Sequence, residues 1–369
     1  MPCLDFFSNL LKPKEKASSV NSSNHPSAQL LTKSCPSPKS IPELYDENEH
    51  SLRVFTYREL MEATCGFNRS LKIGEGGFGS VYRGKMKLSS NSPRTVDVAV
   101  KKLNRNGLQG HKEWLSEVHF LGVVNHPHIV KLLGYCNEDD ERGIKRLLVY
   151  EYMPNCSFDD HLFGGTNPTL SWKTRLNIIL GAAEGLAYLH AGMKVQVIYR
   201  DFKASNVLLD EDLKPKLSDF GLAREGPGEG RSHVSTMPVG TYGYAAPEYV
   251  ETGHLKAESD IWSFGVVLYE LLTGRRALDK GRPASEQKLL MWVRRFPVES
   301  KSFAMVIDPK IRATMSVNSA RIIARLAQAC SNKYPKDRPS MAQVVDTINL
   351  AIRESESVSV SVSDPVASL

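Results

Sequence analysis

The feature that most constrains this chain is a series of short motifs in a fixed order. Gly74-Glu75-Gly76-Gly77-Phe78-Gly79 comes first, then Val98-Ala99-Val100-Lys101 and a glutamate at 113 or 117. Tyr199-Arg200-Asp201-Phe202-Lys203-Ala204-Ser205-Asn206, Asp219-Phe220-Gly221 and Ala246-Pro247-Glu248 follow. A glycine-rich turn lets backbone N–H groups approach phosphate oxygens with no side chain in the way. Alone, that pattern could equally open a dinucleotide-binding helix. Two features argue otherwise: residues 80–85 continue as a strand, and a lysine follows Gly79 by 22 residues on the next strand. The chain must therefore build a strand-walled, phosphate-facing cleft rather than a strand–turn–helix.

Periodicity fills in the rest. From Leu71 to Tyr152 the pattern is strand-like, alternating over Val96–Lys101 and nearly continuous over Leu147–Tyr152. One helix interrupts it, with Trp114, Leu115, Val118 and Leu121 near helical spacing. From Trp172 the character turns helical: Leu176, Ile179, Ala183, Leu186 and Leu189 repeat at intervals of three and four. Further helices are predicted over 261–273, 289–295, 319–330 and 342–353. The fold class expected is α+β and bilobal, a small β-rich lobe with one main helix followed by a larger helical lobe. Ahead of it, Thr56 and Glu59 form a capping box, Phe55 and Leu60 a hydrophobic staple, and Gly66 suits the left-handed position after the helix. The domains expected are a disordered arm over 1–51, a helical segment over 52–67, the catalytic unit over 68–352 and a disordered Ser-rich tail over 353–369.

Bulk properties exclude several classes. The 369 residues carry a net charge of +6, with basic and acidic residues interleaved, so a nucleic-acid stripe is not indicated. Six scattered cysteines without a CxxC pair indicate neither a zinc site nor a disulfide framework. No apolar run reaches membrane-spanning length, and a cytoplasmic protein is expected. In the arm, Phe6, Phe7, Leu10 and Leu11 precede Lys12, Lys14 and Lys16, so palmitoylation at Cys3 would give a peripheral contact with the inner face of the plasma membrane. Pro2 excludes N-myristoylation.

The ordered motifs resemble the signature set of protein kinases, which assigns chemistry residue by residue. Lys101 would reach the α- and β-phosphates while Lys102 faces the other way, since strands alternate. Glu117, in a Ser-Glu-Val run like the family's, is preferred over Glu113 as its partner. Asp201 would be the catalytic base, Lys203 would offset charge on the transferring γ-phosphoryl group, and Asn206 and Asp219 would supply oxygens to Mg2+, with Mn2+ as an alternative ion. Ile73, Gly74, Glu75, Gly76, Gly77, Phe78, Gly79, Val81, Ala99 and Leu208 would line the ATP cleft. Glu248 with Arg338 would form a buried pair tying down the activation segment, and Asp260 would hold the catalytic-loop backbone.

Tyr199 stands where the family usually has histidine, mainly a packing position. Arg200 suggests a basic pocket for a phosphorylated activation segment, whose candidates are Ser232, Ser235, Thr236 and Thr241. Lys203 in Asp-x-Lys-x-x-Asn, with Gly240-Thr241 before Ala246-Pro247-Glu248, is similar to serine/threonine kinases.

From Leu52 to about Ile352 the chain resembles plant receptor-like cytoplasmic kinases, most closely subfamily VII. The likeness is carried by residues 55–64, 197–206 and 239–248. It implies Tyr150 as gatekeeper, with Glu151 and Met153 giving hinge contacts to adenine. Its implied partners are protein substrates with Ser/Thr and upstream plasma-membrane receptor kinases, often in immunity. A nucleotide-binding pseudokinase scaffold is the alternative.

Overall fold

The alternating, β-branched segment around Val98 becomes an inner strand of a twisted sheet in the computed structural model, which describes residues 39–47, 52–76, 79–87, 94–104, 108–141 and 143–360. Gly77, Phe78, Cys3 with the rest of the first 38 residues, and residues 361–369 lie outside the described residues. The sheet contains β1 (Arg53–Val54), β2 (Lys72–Gly76), β3 (Gly79–Lys87), β4 (Thr95–Leu103), β5 (Leu132–Cys136) and β8 (Leu147–Glu151), in the order β1-β5-β8-β4-β3-β2. A small hairpin, β6 (Asp139–Asp140) and β7 (Gly143–Ile144), lies between β5 and β8. β1 runs parallel to β5, and the other pairs in the sheet are antiparallel. At the head of β3, Gly79 has φ of +153°, and a Cβ there would stand 2.1 Å from the Lys102 carbonyl oxygen. Only glycine fits this close strand approach.

Three helices accompany the sheet: α1 (Ile41–Glu47), α2 (Tyr57–Ala63) and α3 (Leu108–Val123). The predicted capping box at Thr56 and Glu59 forms, and Phe55 and Leu60 are both buried in the cluster that α2 lays on the sheet. At the other end of α2, the Gly66 N–H bonds the Met61 carbonyl and the Cys65 N–H bonds Glu62. This is a Schellman ending in which Cys65 (φ 49°) holds the first left-handed position and Gly66 (φ 74°) the second.

The second lobe contains α4 (Phe158–Phe163), α5 (Trp172–Ala187), α6 (Pro247–Thr252), α7 (Ala257–Thr273), α8 (Leu289–Val293), α9 (Val317–Cys330) and α10 (Met341–Val360). The five apolar residues used to predict α5 are all fully buried, with Leu189 falling in the turn that follows it. α7 is buried along almost its whole length, as expected of a helix apolar on nearly every face. Short pairs complete the lobe: β9 (Val197–Ile198) with β12 (Arg224–Glu225), β10 (Val207–Leu209) with β11 (Pro215–Leu217), and β13 (Val234–Ser235) with β14 (His254–Leu255).

Two expectations are corrected. The arm is not wholly without structure, because Ile41–Glu47 is a helix whose first residue is buried in the core. Ser40 and Glu43 bond each other's backbone N–H groups there, a capping box that the sequence displays. Nor does the last helix stop near Arg353. It continues to Val360, with Glu354 bonded by Asn318 and Glu356 paired with Lys173.

Candidate active site

β4 lies between β3 and β8, so Lys101 stands opposite Val81 on one side and Leu148 on the other. Its ammonium reaches Glu117 Oε1 at 2.7 Å and Asp219 Oδ1 at 2.8 Å. Glu117 is therefore the partner on α3. Lys102 points the other way and lies 4.1 Å from the Phe67 ring centre. Burial pulls the Lys101 pKa down, but Asp219 and Glu117 outweigh it and hold the ammonium well above its ordinary value. Burial pushes Glu117 up, with Lys101 opposing. Asp219 ends below its ordinary value because Lys101 more than offsets its burial. The Tyr150 hydroxyl donates to the other oxygen of Glu117, and burial followed by the Glu117 charge raises the phenol pKa. Both oxygens of this buried carboxylate are thus bonded.

The loop 199–206 is held from below by Asp260 near the start of α7. Its carboxylate accepts the backbone N–H of Tyr199 at 2.8 Å and of Arg200 at 2.6 Å, and it meets His190 Nε2 at 2.8 Å. These bonds brace Arg200, whose φ of 74° is unusual for a side chain of its size. Tyr199 is fully buried, donates its hydroxyl to the Ser218 carbonyl and sets its ring edge-on to Phe220 at 5.1 Å. It therefore bolts the loop to the Asp219 turn, the packing role expected of that position.

Asp201 is 5% exposed and fully engaged. Thr241 donates to its Oδ1 at 2.6 Å, and Lys203 donates to Oδ2 at 2.7 Å and to Thr241 Oγ1 at 2.8 Å. Asn206 Nδ2 donates to the Asp201 carbonyl at 2.9 Å, which commits the amide nitrogen and turns Oδ1 the other way. Asp219 sits left-handed at φ 60°, aiming its carboxylate back at Lys101.

The activation segment meets Arg200, which donates to Thr236 Oγ1 at 3.1 Å, to the Met237 carbonyl at 2.6 Å and to the Tyr249 hydroxyl at 2.8 Å. Ser232 and Ser235 are exposed, and Ser232 bonds His233. Thr241 stands apart from these, because its hydroxyl is already shared between Asp201 and Lys203. Farther down the segment, Glu248 and Arg338 form the expected pair, bidentate with both bonds at 2.7 Å.

Among the cleft residues, Gly74 and Gly76 lie on β2 opposite Val81 and Gly79, and Ala99 pairs with Tyr150. Glu75 pairs with Lys72, and Ile73 is half-exposed at the rim. Leu208 lies on β10, and Met153 is buried beyond the end of β8. The Glu151 side chain is occupied by the Lys131 N–H and by Lys216 at 2.8 Å, and its own backbone N–H bonds the Lys131 carbonyl. Sequence reasoning missed the Tyr150–Glu117 bond and the Thr241 contacts, since no local pattern signals a bond across 33 or 40 residues. It also missed α4, although Ser157 and Asp160 show a capping box in the sequence.

A cleft with a lysine between two carboxylates, over a loop holding a buried aspartate, is an arrangement suited to phosphoryl transfer. The family model for protein tyrosine and serine/threonine kinases matches residues 67–348, and the chain belongs to that family. It is 58% identical to the probable serine/threonine-protein kinase PBL20 of Arabidopsis thaliana, covering 88% of this chain and 84% of the relative. It is 53% identical to the serine/threonine-protein kinase PCRK1 of the same plant, over 83% and 73% of the two chains. The receptor-like cytoplasmic kinase 176 of Oryza sativa subsp. japonica is 49% identical, over 84% and 78%. The expected likeness to receptor-like cytoplasmic kinases is borne out, as is the bilobal α+β fold.

Proposed function

We propose that the chain transfers the γ-phosphoryl group of ATP to serine and threonine hydroxyls of proteins. The observation carrying this reading is the simultaneous engagement of Lys101 by Glu117 and Asp219, with Asp201 buried beside Lys203. Asp201 would accept the proton of the attacking hydroxyl, and Lys203 would face the charge that develops on the transferring group. Lys101, fixed by Glu117, would orient the nucleotide.

Asn206 Oδ1 and the second Asp219 oxygen fit a hard divalent cation. Mg2+ needs few protein ligands, because substrate phosphates would share its coordination. When bound, the cation would neutralise phosphate charge. Thr241 would orient Asp201 and Lys203 rather than be phosphorylated, because a phosphate there would face the Asp201 carboxylate. Ser232, Ser235 and Thr236 remain the regulatory candidates, with Arg200 the receiving cation for Thr236.

One relative bears the name receptor-like cytoplasmic kinase, and on that resemblance we place this chain beneath plasma-membrane receptor kinases in plant immune signalling. Among the described residues no helix is long and apolar enough to cross a membrane, and the proposed palmitoyl contact would rest on Cys3. The scaffold alternative predicts equal phosphate incorporation by wild type and Asp201→Ala. Incubating both with labelled Mg-ATP and analysing the phosphoamino acids tests the reading. Label on serine and threonine in wild type alone supports it, and equal labelling overturns it.

A further inference from the structure

α3 carries Glu117 and is supported on one side by the turn at Asp219, where Ser116 Oγ donates to the Phe220 carbonyl at 3.1 Å. Trp114 Nε1 donates to the Leu147 carbonyl at 3.1 Å and ties the helix to β8. The C-terminal part of α3 lies beyond these two bonds, with Phe120 and Leu121 buried in the core. α1 covers it. Tyr45 places its ring 5.4 Å from that of His119, and a Cβ at Gly122 would stand 2.4 Å from Tyr45 Cε2. Gly122 is thus the notch that admits the Tyr45 ring.

The same short helix reaches a second element. Ile41, 1% exposed, donates its backbone N–H to Glu225 Oε1 at 2.8 Å. Glu225 lies on β12, which follows the Asp219 turn and pairs with β9 just ahead of the catalytic loop. α1 therefore bridges the helix bearing one carboxylate partner of Lys101 and the strand that follows the other. It lies outside the 67–348 segment that matches the family model.

We infer that α1 is an intramolecular strap that sets the position of α3, with Ile41 and Tyr45 as positioning residues for the Lys101–Glu117–Asp219 arrangement. It acts through Glu117 and touches no reacting atom. The inference rests on the phosphoryl-transfer reading for its kinetic consequence but not for its structural one, so two measurements separate them.

The test uses the full chain with Ile41→Asp and, separately, Gly122→Ala. The second change favours the α3 helix by propensity and differs from wild type only by a methyl group in the Tyr45 notch. Hydrogen exchange is followed at backbone amides 116–123 and 222–225, and kcat and KM for ATP are measured well below the melting temperature. Both variants should exchange faster at those amides and lose about tenfold in kcat/KM, with KM for ATP raised, a typical size for coupling between sites. Glu225→Gln, which keeps an acceptor for the Ile41 N–H, should retain most of the rate, and Glu225→Ala should not. Unchanged α3 protection in Ile41→Asp overturns the strap whatever the activity. A rate loss that merely follows the unfolded fraction, with KM for ATP unmoved, overturns it equally.

Discussion

Replacing Arg338 with methionine should unfold the protein at a markedly lower temperature, and the size can be worked from its contacts. The guanidinium side chain is 0% exposed and makes four bonds. Two go to the Glu248 oxygens at 2.7 Å, one to the Glu258 carbonyl at 2.8 Å and one to the Asn332 carbonyl at 3.0 Å. It also lies 5.0 Å from the Trp262 ring centre. Methionine fills the volume but strands the Glu248 carboxylate, and breaking one side of a buried pair costs about 3–5 kcal/mol. Glu248 keeps some exposure, at 22%, so the lower end, ~3 kcal/mol, is expected. For a folded unit of about 300 residues that corresponds to a fall in Tm of roughly 4–5 °C. Arg338→Lys keeps the charge without the fork and should lose about half as much. Thermal unfolding by circular dichroism, with Glu248→Gln and the double variant, completes a double-mutant cycle. The double variant should recover part of the loss, since no charge is left buried. The reasoning is refuted if Arg338→Met melts within a degree or two of wild type, or if the two changes are additive.

Tyr150→Phe removes the hydroxyl that donates to Glu117 Oε2 and takes a donor from a buried carboxylate oxygen, a cost of ~1–3 kcal/mol. Its kcat/KM for ATP should fall about tenfold in steady-state assays while the fold persists, and an unchanged value would remove the proposed link between gatekeeper and ion pair. Glu270 on α7 accepts from Tyr244 and from the Ala277 N–H, and burial raises its pKa from 4.5 to about 8. The folded state then holds a proton that the unfolded chain releases between those values, so stability falls as pH climbs from 4.5 to about 8. Glu270→Gln should flatten this slope of Tm against pH, and parallel curves for the two proteins would refute the assignment.

The catalytic constellation was legible because its parts are local motifs whose chemistry depends on residue type and order. Strand alternation allowed only one of Lys101 and Lys102 to point inward, and the Val-Ala-Val-Lys motif with a glutamate on the next helix chose Lys101. Choosing between Glu113 and Glu117 needed the likeness to a known family, because both lie on the same helix one turn apart. What stayed hidden was long-range or weakly patterned. α1 has only seven residues and almost no apolar period, so its Ser40–Glu43 cap was outvoted by the polar arm around it. The last helix runs on through Ser- and Val-rich text of poor propensity, held by pairs such as Lys173–Glu356 that no window along the chain can see. Thr241 reads as one more loop hydroxyl until the fold carries it to Asp201.

The engagement of Lys101 and Lys203 by Glu117, Asp219 and Asp201 has a consequence for what the cleft admits. Two ammonium groups face three carboxylates, so this inner set of charges is net anionic before anything enters. A bare polyphosphate gains from the lysines only by prising them from acids they already satisfy. On the proposed reading, entry of a polyphosphate would be coupled to the uptake of countercharge. The resting ion pairs would then set a cost that any incoming anion has to meet before it reaches the rest of the cleft.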